Sequence, residues 1–297
     1  MKQVKYLFLI PIVILYACLS EEKTTEKNNE LEVNYLDSIA PLNVIVLLDL
    51  SNRIDTNKHP RQAEKDQVVI GNLLDVFGER QKQFGYMVSK DKFSIVFANQ
   101  SDPAFESFEF MDKLSIDMED HMTNPKYKKK KQEIVTNCSL LYHQAVKKAD
   151  SGADIYTWLK DQYPSYHRKG KYKNKIIVLT DGYLAFDPEV SANRPKGTQI
   201  NWSHFKTLRA HPKNWIEYYQ RNEMGFTPIE GADFKNTSIR LMEVEPRETN
   251  KNPHEFDLLR HFWEDWFNKM NLQGKVMKSF SDQNQLKYGL KKFIPND

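Results

Sequence analysis

The chain has 297 residues, 40% of them hydrophobic, with 43 basic and 40 acidic side chains and a formal net charge of +3. That is enough apolar material for one large domain, and too evenly mixed in charge for a membrane bundle or a disordered polyelectrolyte. The balance singles out no class of partner, and no motif for nucleic acid is present.

The N-terminus departs from the rest. Lys2 and Lys5 precede an apolar stretch from Tyr6 to Ala17. At about 12 residues it is too short to span a bilayer and matches the core of a signal peptide. It ends in Leu15-Tyr16-Ala17-Cys18, which resembles the lipobox of bacterial lipoproteins. The resemblance implies cleavage before Cys18 and lipid modification of its thiol. Residues 1–17 then form a signal peptide and 18–40 a lipidated tether, rich in Glu, Lys, Thr and Asn from Leu19 to Asn34. Its opening Leu19-Ser20-Glu21-Glu22-Lys23 looks like the acidic export tags of surface lipoproteins in the Bacteroidetes, so the expected anchor is the outer membrane, on either face. Cys138 alone would remain as a thiol, which allows no intrachain disulfide and reads as a small buried apolar residue.

From residue 41 onward, short β runs alternate with helical segments. Asn43 to Asp49 is almost continuously apolar, the pattern of a parallel strand buried on both faces. Arg61 to Phe84 follows as a helix, with Val69, Leu73 and Phe77 at helical spacing. Lys92 to Ala98 reads as a second strand, and Phe105 to Ile116 as an edge strand. A basic amphipathic helix spans Pro125 to Ala149; its run of Lys126 and Lys128 to Lys131 reads as a solvated helix start, or else as a contact for anionic lipid or polysaccharide. Asp154 to Tyr163 is a short helix, and Lys175 to Gly182 the clearest buried strand. Ser238 to Val244 is another strand. His254 to Met270 forms a helix with an apolar stripe of Phe256, Leu259, Trp263, Trp266 and Met270. Lys275 to Phe280 and a helix from Gln283 to Phe293 end the pattern. This order predicts one doubly wound α/β domain over residues 41–297, with a mostly parallel sheet and helices on both faces. The connection at about 183–236 is long and carries Phe186, Trp202, Phe205, Trp215, Tyr218 and Tyr219, either packed on the body or available to a partner.

In such sheets ligands sit beyond the carboxyl ends of the strands. Two strand ends stand out: Asp49-Leu50-Ser51-Asn52-Arg53 and Thr180-Asp181-Gly182. With Gly152-Ala153-Asp154-Ile155-Tyr156 between them, they resemble the metal-ion-dependent adhesion site of the von Willebrand factor type A (vWA) family, over about residues 42 to 297. The resemblance implies a divalent cation, usually Mg²⁺, held by Asp49, Ser51, Asp154 and Asp181, with one position open to a carboxylate of a protein partner. Arg53 stands where the family places a second serine, and Ala153 where it places a threonine. Either a cation is retained, with Asp154 or Asp55 supplying lost oxygens, or the Arg53 guanidinium itself neutralises Asp49 and Asp181. Arg53 is a neighbour of the site in both readings.

No catalytic residue is assigned. The sequence has no His-Glu-x-x-His, no phosphate-binding glycine loop and no signature around Cys138. An aspartyl-nucleophile hydrolase built on Asp49 would want a second Asp two residues on, and Ser51 occupies that position. The expected function is a lipid-anchored binding domain and not an enzyme, the alternative being a scaffold of an envelope complex with a non-metal site.

Overall fold

In a computed structural model of the chain, the residues described are 40–57, 59–98, 111–148, 152–184, 186, 192–200, 202–211, 213–246 and 254–294. The expected leader and almost all of the tether lie outside them, as do residues 105–110 of the expected edge strand. The chain divides into two units, Met1–Ala40 and Pro41–Asp297, and the second carries all the elements below.

Strand β1 (Leu42–Leu48) is buried along its whole length. Its odd and even residues enter different cores: Val44, Val46 and Leu48 on one side, Ile45 and Leu47 on the other. That is why the run shows no polar alternation. Helix α1 (Gln62–Phe84) leads to β2 (Lys92–Phe97) and the antiparallel edge β3 (Ser115–Asp117), followed by α2 (Asn124–Lys148). A short α3 (Ile155–Thr157), a π-turn (Trp158–Gln162) and α4 (Tyr163–Tyr166) then precede β4 (Lys173–Leu179). Pro164 lies in the first turn of α4, where a missing N–H is tolerated. Two helices of the long connection, α5 (Trp202–Arg209) and α6 (Trp215–Arg221), come before β5 (Thr237–Val244). Helix α7 (Glu255–Lys269), β6 (Gln273–Lys278) and α8 (Gln283–Phe293) complete the order.

The sheet runs β3-β2-β1-β4-β5-β6, parallel except at β3. The fold is therefore α/β and doubly wound. Helices α1, α2 and α8 pack on one face, while α7 and the segment from Ile155 to Tyr166 pack on the other. On α7, Leu259, Trp263 and Trp266 are fully buried, and Phe256 and Met270 only partly so. The long connection contributes to this second core, because Phe205, Tyr219 and Phe226 are buried against Phe262 of α7. Of the aromatics expected there, Phe205 and Tyr219 thus pack inward and Trp215, Tyr218 and Phe186 are half-buried, while the Trp202 side chain lies outside what the structure describes.

Of the expected edge strand, Met111–Leu114 instead form a 3₁₀ turn, and among the described residues pairing with β2 covers Ser115, Ile116 and Asp117. The basic run on α2 is tied down locally: Lys131 pairs with Asp75 and Lys130 with Glu133, while Tyr127 turns inward and donates to the Leu74 carbonyl. Cys138 is buried, and burial pushes its thiol up to about 12. Among the described residues no helix is long and apolar enough to cross a membrane.

Candidate functional site

Strands β1 and β4 are neighbours, with Leu48 opposite Leu179. Beyond β1 the chain leads to one side of the sheet and beyond β4 to the other, so their carboxyl ends frame the crevice where open α/β sheets bind ligands. The Asp49 N–H donates to the Leu179 carbonyl at 3.0 Å and prolongs the ladder by one step. The Asp49 carboxylate is then shared between the two strand ends. Oδ1 accepts the Ser51 N–H at 3.0 Å, closing a tight turn, and Oδ2 accepts the Thr180 hydroxyl at 2.7 Å. Ser51 in turn caps a short helical turn, Asn52–Ile54.

The second strand end is braced in the same manner. Thr180 Oγ1 accepts the Gly182 N–H at 3.1 Å, and Asp181 Oδ1 accepts the Tyr183 N–H at 3.1 Å. Gly182 sits at φ +92°, a conformation that disfavours any side chain. Its carbonyl accepts the indole N–H of Trp263 at 2.8 Å, which locks the loop to α7. One residue further on, the Tyr183 hydroxyl donates to Glu255, the first residue of α7, and Arg209 of α5 donates to the other oxygen of that fully buried carboxylate.

Asp49, Ser51 and Asp181 are thus brought to one rim and are all buried, with Asp181 at 7% exposure the nearest of the three to solvent. Asp49 receives hydrogen bonds from neutral groups only. Its proton affinity is raised, chiefly by burial; Arg53 opposes the shift, the Asp181 charge adds to it, and the hydrogen bonds from Ser51 and Thr180 oppose it.

Arg53 does not act as the built-in cation between the two aspartates. Its guanidinium, 1% exposed, turns to α1 and grips Asp66 in a two-pronged pair, Nη1 to Oδ2 at 2.7 Å and Nη2 to Oδ1 at 2.9 Å. Nη1 also donates to the Asp49 carbonyl at 3.0 Å, so Arg53 reaches the backbone of Asp49 and not its carboxylate. Burial opposes the Arg53 charge, but Asp66 outweighs it and holds the guanidinium protonated. Gln62 and the Tyr142 hydroxyl complete the coordination of Asp66, at 3.0 and 2.8 Å. Arg53 is therefore held within the fold and not in solvent. Asp66 escaped sequence reasoning, although one signal was present: it precedes Val69 and Ile70 by three and four residues, which puts a carboxylate on the core face of α1.

Asp154 is differently engaged. One oxygen caps α3 by accepting the Thr157 N–H at 3.0 Å, and both oxygens take Arg194, at 2.6 and 2.8 Å. Arg194 also stacks over Phe186, 4.0 Å from the ring centre, so the long connection supplies the partner of Asp154. Ala153, where the vWA pattern has threonine, is packed in the second core. Asp55 turns on itself to accept the Asn57 N–H at 2.9 Å. Among the described residues no three His, Cys, Asp or Glu side chains converge as a metal-binding group. The oxygens gathered at the rim are two carboxylates and the hydroxyls of Ser51 and Thr180. Compared with models of known protein families and with curated proteins, the sequence matches none.

Proposed function

We propose that this chain is an exported, lipid-anchored binding domain of the vWA type, which engages a protein partner at the rim formed by Asp49, Ser51 and Asp181. The observation that carries the reading is the meeting of these three residues at the carboxyl ends of β1 and β4, where the strand order reverses. Hard oxygen donors at a buried, acidic strand end suit a small divalent cation such as Mg²⁺. Asp49, whose proton affinity is raised, is a carboxylate that a nearby cation would stabilise. The ion would be held by Ser51 and the two aspartates, with Asp154 available only on release of Arg194. When bound it supplies a Lewis-acidic position for a carboxylate of the partner, while Thr180 and Trp263 keep the two loops in place. Cys18 anchors the domain, and the outer membrane is the membrane proposed.

The test is thermal unfolding of the protein with Mg²⁺ and with EDTA. A cation held at a hundred times its dissociation constant stabilises the folded state by about 2.7 kcal/mol, which for a domain of this size raises Tm by roughly 5–10 °C. Asp181→Asn removes that response and leaves the EDTA curve in place. A second reading, a scaffold with a cation-free rim, is favoured by the Arg53–Asp66–Tyr142 cluster, which braces the Asp49 backbone without any ion. Identical melting curves in Mg²⁺ and EDTA select it and overturn the cation. For the anchor, Cys18→Ser should move the protein from the membrane fraction to the soluble fraction; unchanged fractionation refutes lipidation.

A further inference from the structure

At the amino-terminal end of the sheet the charge has the opposite sign. Lys175 of β4, Arg240 of β5 and Lys275 of β6 have the same parity along their strands as Ile177, Met242 and Met277, which pack toward the α8 side. Arg240 is the direct cross-strand partner of Lys275, and Lys175 lies opposite Ser238, two residues before Arg240. Like charges set opposite each other in a sheet are destabilising. Lys292, in the last turn of α8, adds a fourth cation. These four line a cavity of about 480 Å³ whose wall, among the described residues, holds no Asp or Glu.

Among the described residues no acidic side chain pairs with Arg240, Lys275 or Lys292. The Arg240 guanidinium lies 4.2 Å and the Lys175 ammonium 4.9 Å from the centre of the Phe293 ring, and Arg240 donates to the Gly289 carbonyl at 2.9 Å. Such contacts, with a helix C-terminus equivalent to about half a negative charge, cannot balance the charges of Arg240, Lys275 and Lys292. The other lysines of α8, Lys287 and Lys291, both pair with Glu79 on α1, so the excess belongs to the cavity. Burial draws Lys175 down to about 8, with the Arg240 and Lys173 charges adding, and burial also lowers Arg240.

We propose that this cavity binds a small phosphorylated, hydroxyl-bearing molecule, its phosphoryl group taken by Arg240, Lys275 and Lys292 and its hydroxyls by Asn268 and Asn271. The planar donor fork of arginine matches a phosphate, flanking lysines add charge, and the volume suits a monosaccharide phosphate. Gly274 allows β6 to press against α7 beside the cavity, because a Cβ there would meet the Phe267 ring at 1.9 Å.

The test is calorimetric titration and thermal unfolding of the full chain with glucose 6-phosphate. A saturable heat and a rise in Tm are expected, with neither given by glucose or by potassium chloride at matched ionic strength. Lys275 and Lys292 are exposed, so Lys275→Ala/Lys292→Ala should fold; it should bind at least roughly tenfold more weakly, as loss of charge-assisted hydrogen bonds requires. A Tm rise reproduced by potassium chloride, or an unchanged affinity in the double variant, overturns the proposal. Sedimentation with phosphatidylglycerol vesicles, reversed by glucose 6-phosphate and lost in the double variant, assigns the phosphoryl group to a lipid headgroup; glucose 6-phosphate binding without vesicle binding assigns it to a soluble molecule. Asp181→Asn should bind glucose 6-phosphate as the parent does, so this site and the rim fail separately.

Discussion

Arg53 departs from the vWA pattern, and its surroundings give the departure a physical reason. Its charge is fully desolvated, and Asp66, joined by the Asp49 carbonyl, makes that burial tolerable. Removing one member of a buried ion pair leaves the other uncompensated, which typically destabilises by about 3–5 kcal/mol. Asp66→Asn should lower the urea midpoint accordingly, and Arg53→Met/Asp66→Leu should recover much of the loss. A loss in Asp66→Asn below about 1 kcal/mol, the range of exposed pairs, would place the pair in solvent. Gly182→Ala should cost about 1–2 kcal/mol from the positive φ alone, with a further contribution from the Cβ meeting Val244 at 3.0 Å. Wild-type stability in that variant would mean that the loop carrying Asp181 is not held as described. Lys175 gives a pH signature. Its folded value of about 8 lies below the ordinary lysine value of 10.5, so between these two the unfolded chain binds more protons. Stability should therefore rise with pH across that window. In Lys175→Met the urea midpoint should lose this gain between pH 8 and 10.

Among the elements, α7 carries the most. Its buried face holds Phe262, Trp263 and Trp266, and Phe262 contacts the rings of Phe205, Tyr219 and Phe226 from the long connection, of which Phe226 also meets Trp263 and Trp266. Phe262→Ala should cost about 3–5 kcal/mol, as is usual for a large buried aromatic. Because those three partners share one connection, limited proteolysis of the variant should cut first within residues 192–234. First cuts elsewhere would show that the connection is held by other contacts. The stripe on α7 was legible because its period of 3.6 is a local property of the chain. The 3₁₀ turn at Met111–Leu114, within the expected edge strand, was not, because an apolar run states that residues are to be buried and not that they will find a partner strand. Among the described residues, pairing with β2 begins at Ser115 and runs to Asp117.

For the molecule as a whole, the sheet separates two kinds of charge. Asp49 and Asp181 lie at the carboxyl ends of their strands, while Lys175, Arg240 and Lys275 lie in the amino-terminal halves of theirs. The length of β4 puts roughly 20 Å between the two sites. Ligands that far apart with no shared partner should act additively on stability. The rise in Tm from Mg²⁺ and glucose 6-phosphate together should equal the sum of the separate rises; a clearly smaller joint effect would mean that both report on one site.

The sequence by itself determined the class of the fold and the order of its elements, since buried runs and helical stripes are written in neighbouring residues. It also determined that Asp49 and Asp181 end two buried strands, and α8 begins and ends where its pattern begins and ends. Only the tertiary structure decided which charges meet. Asp66, thirteen residues after Arg53, takes the guanidinium; Arg194, forty residues after Asp154, takes its carboxylate. Lys175, Arg240 and Lys275, spread over a hundred residues, share one face because parallel strands bring distant segments into register. Ion pairing and like-charge crowding depend on distances that chain order leaves open, and the packing of helices on the sheet sets those distances.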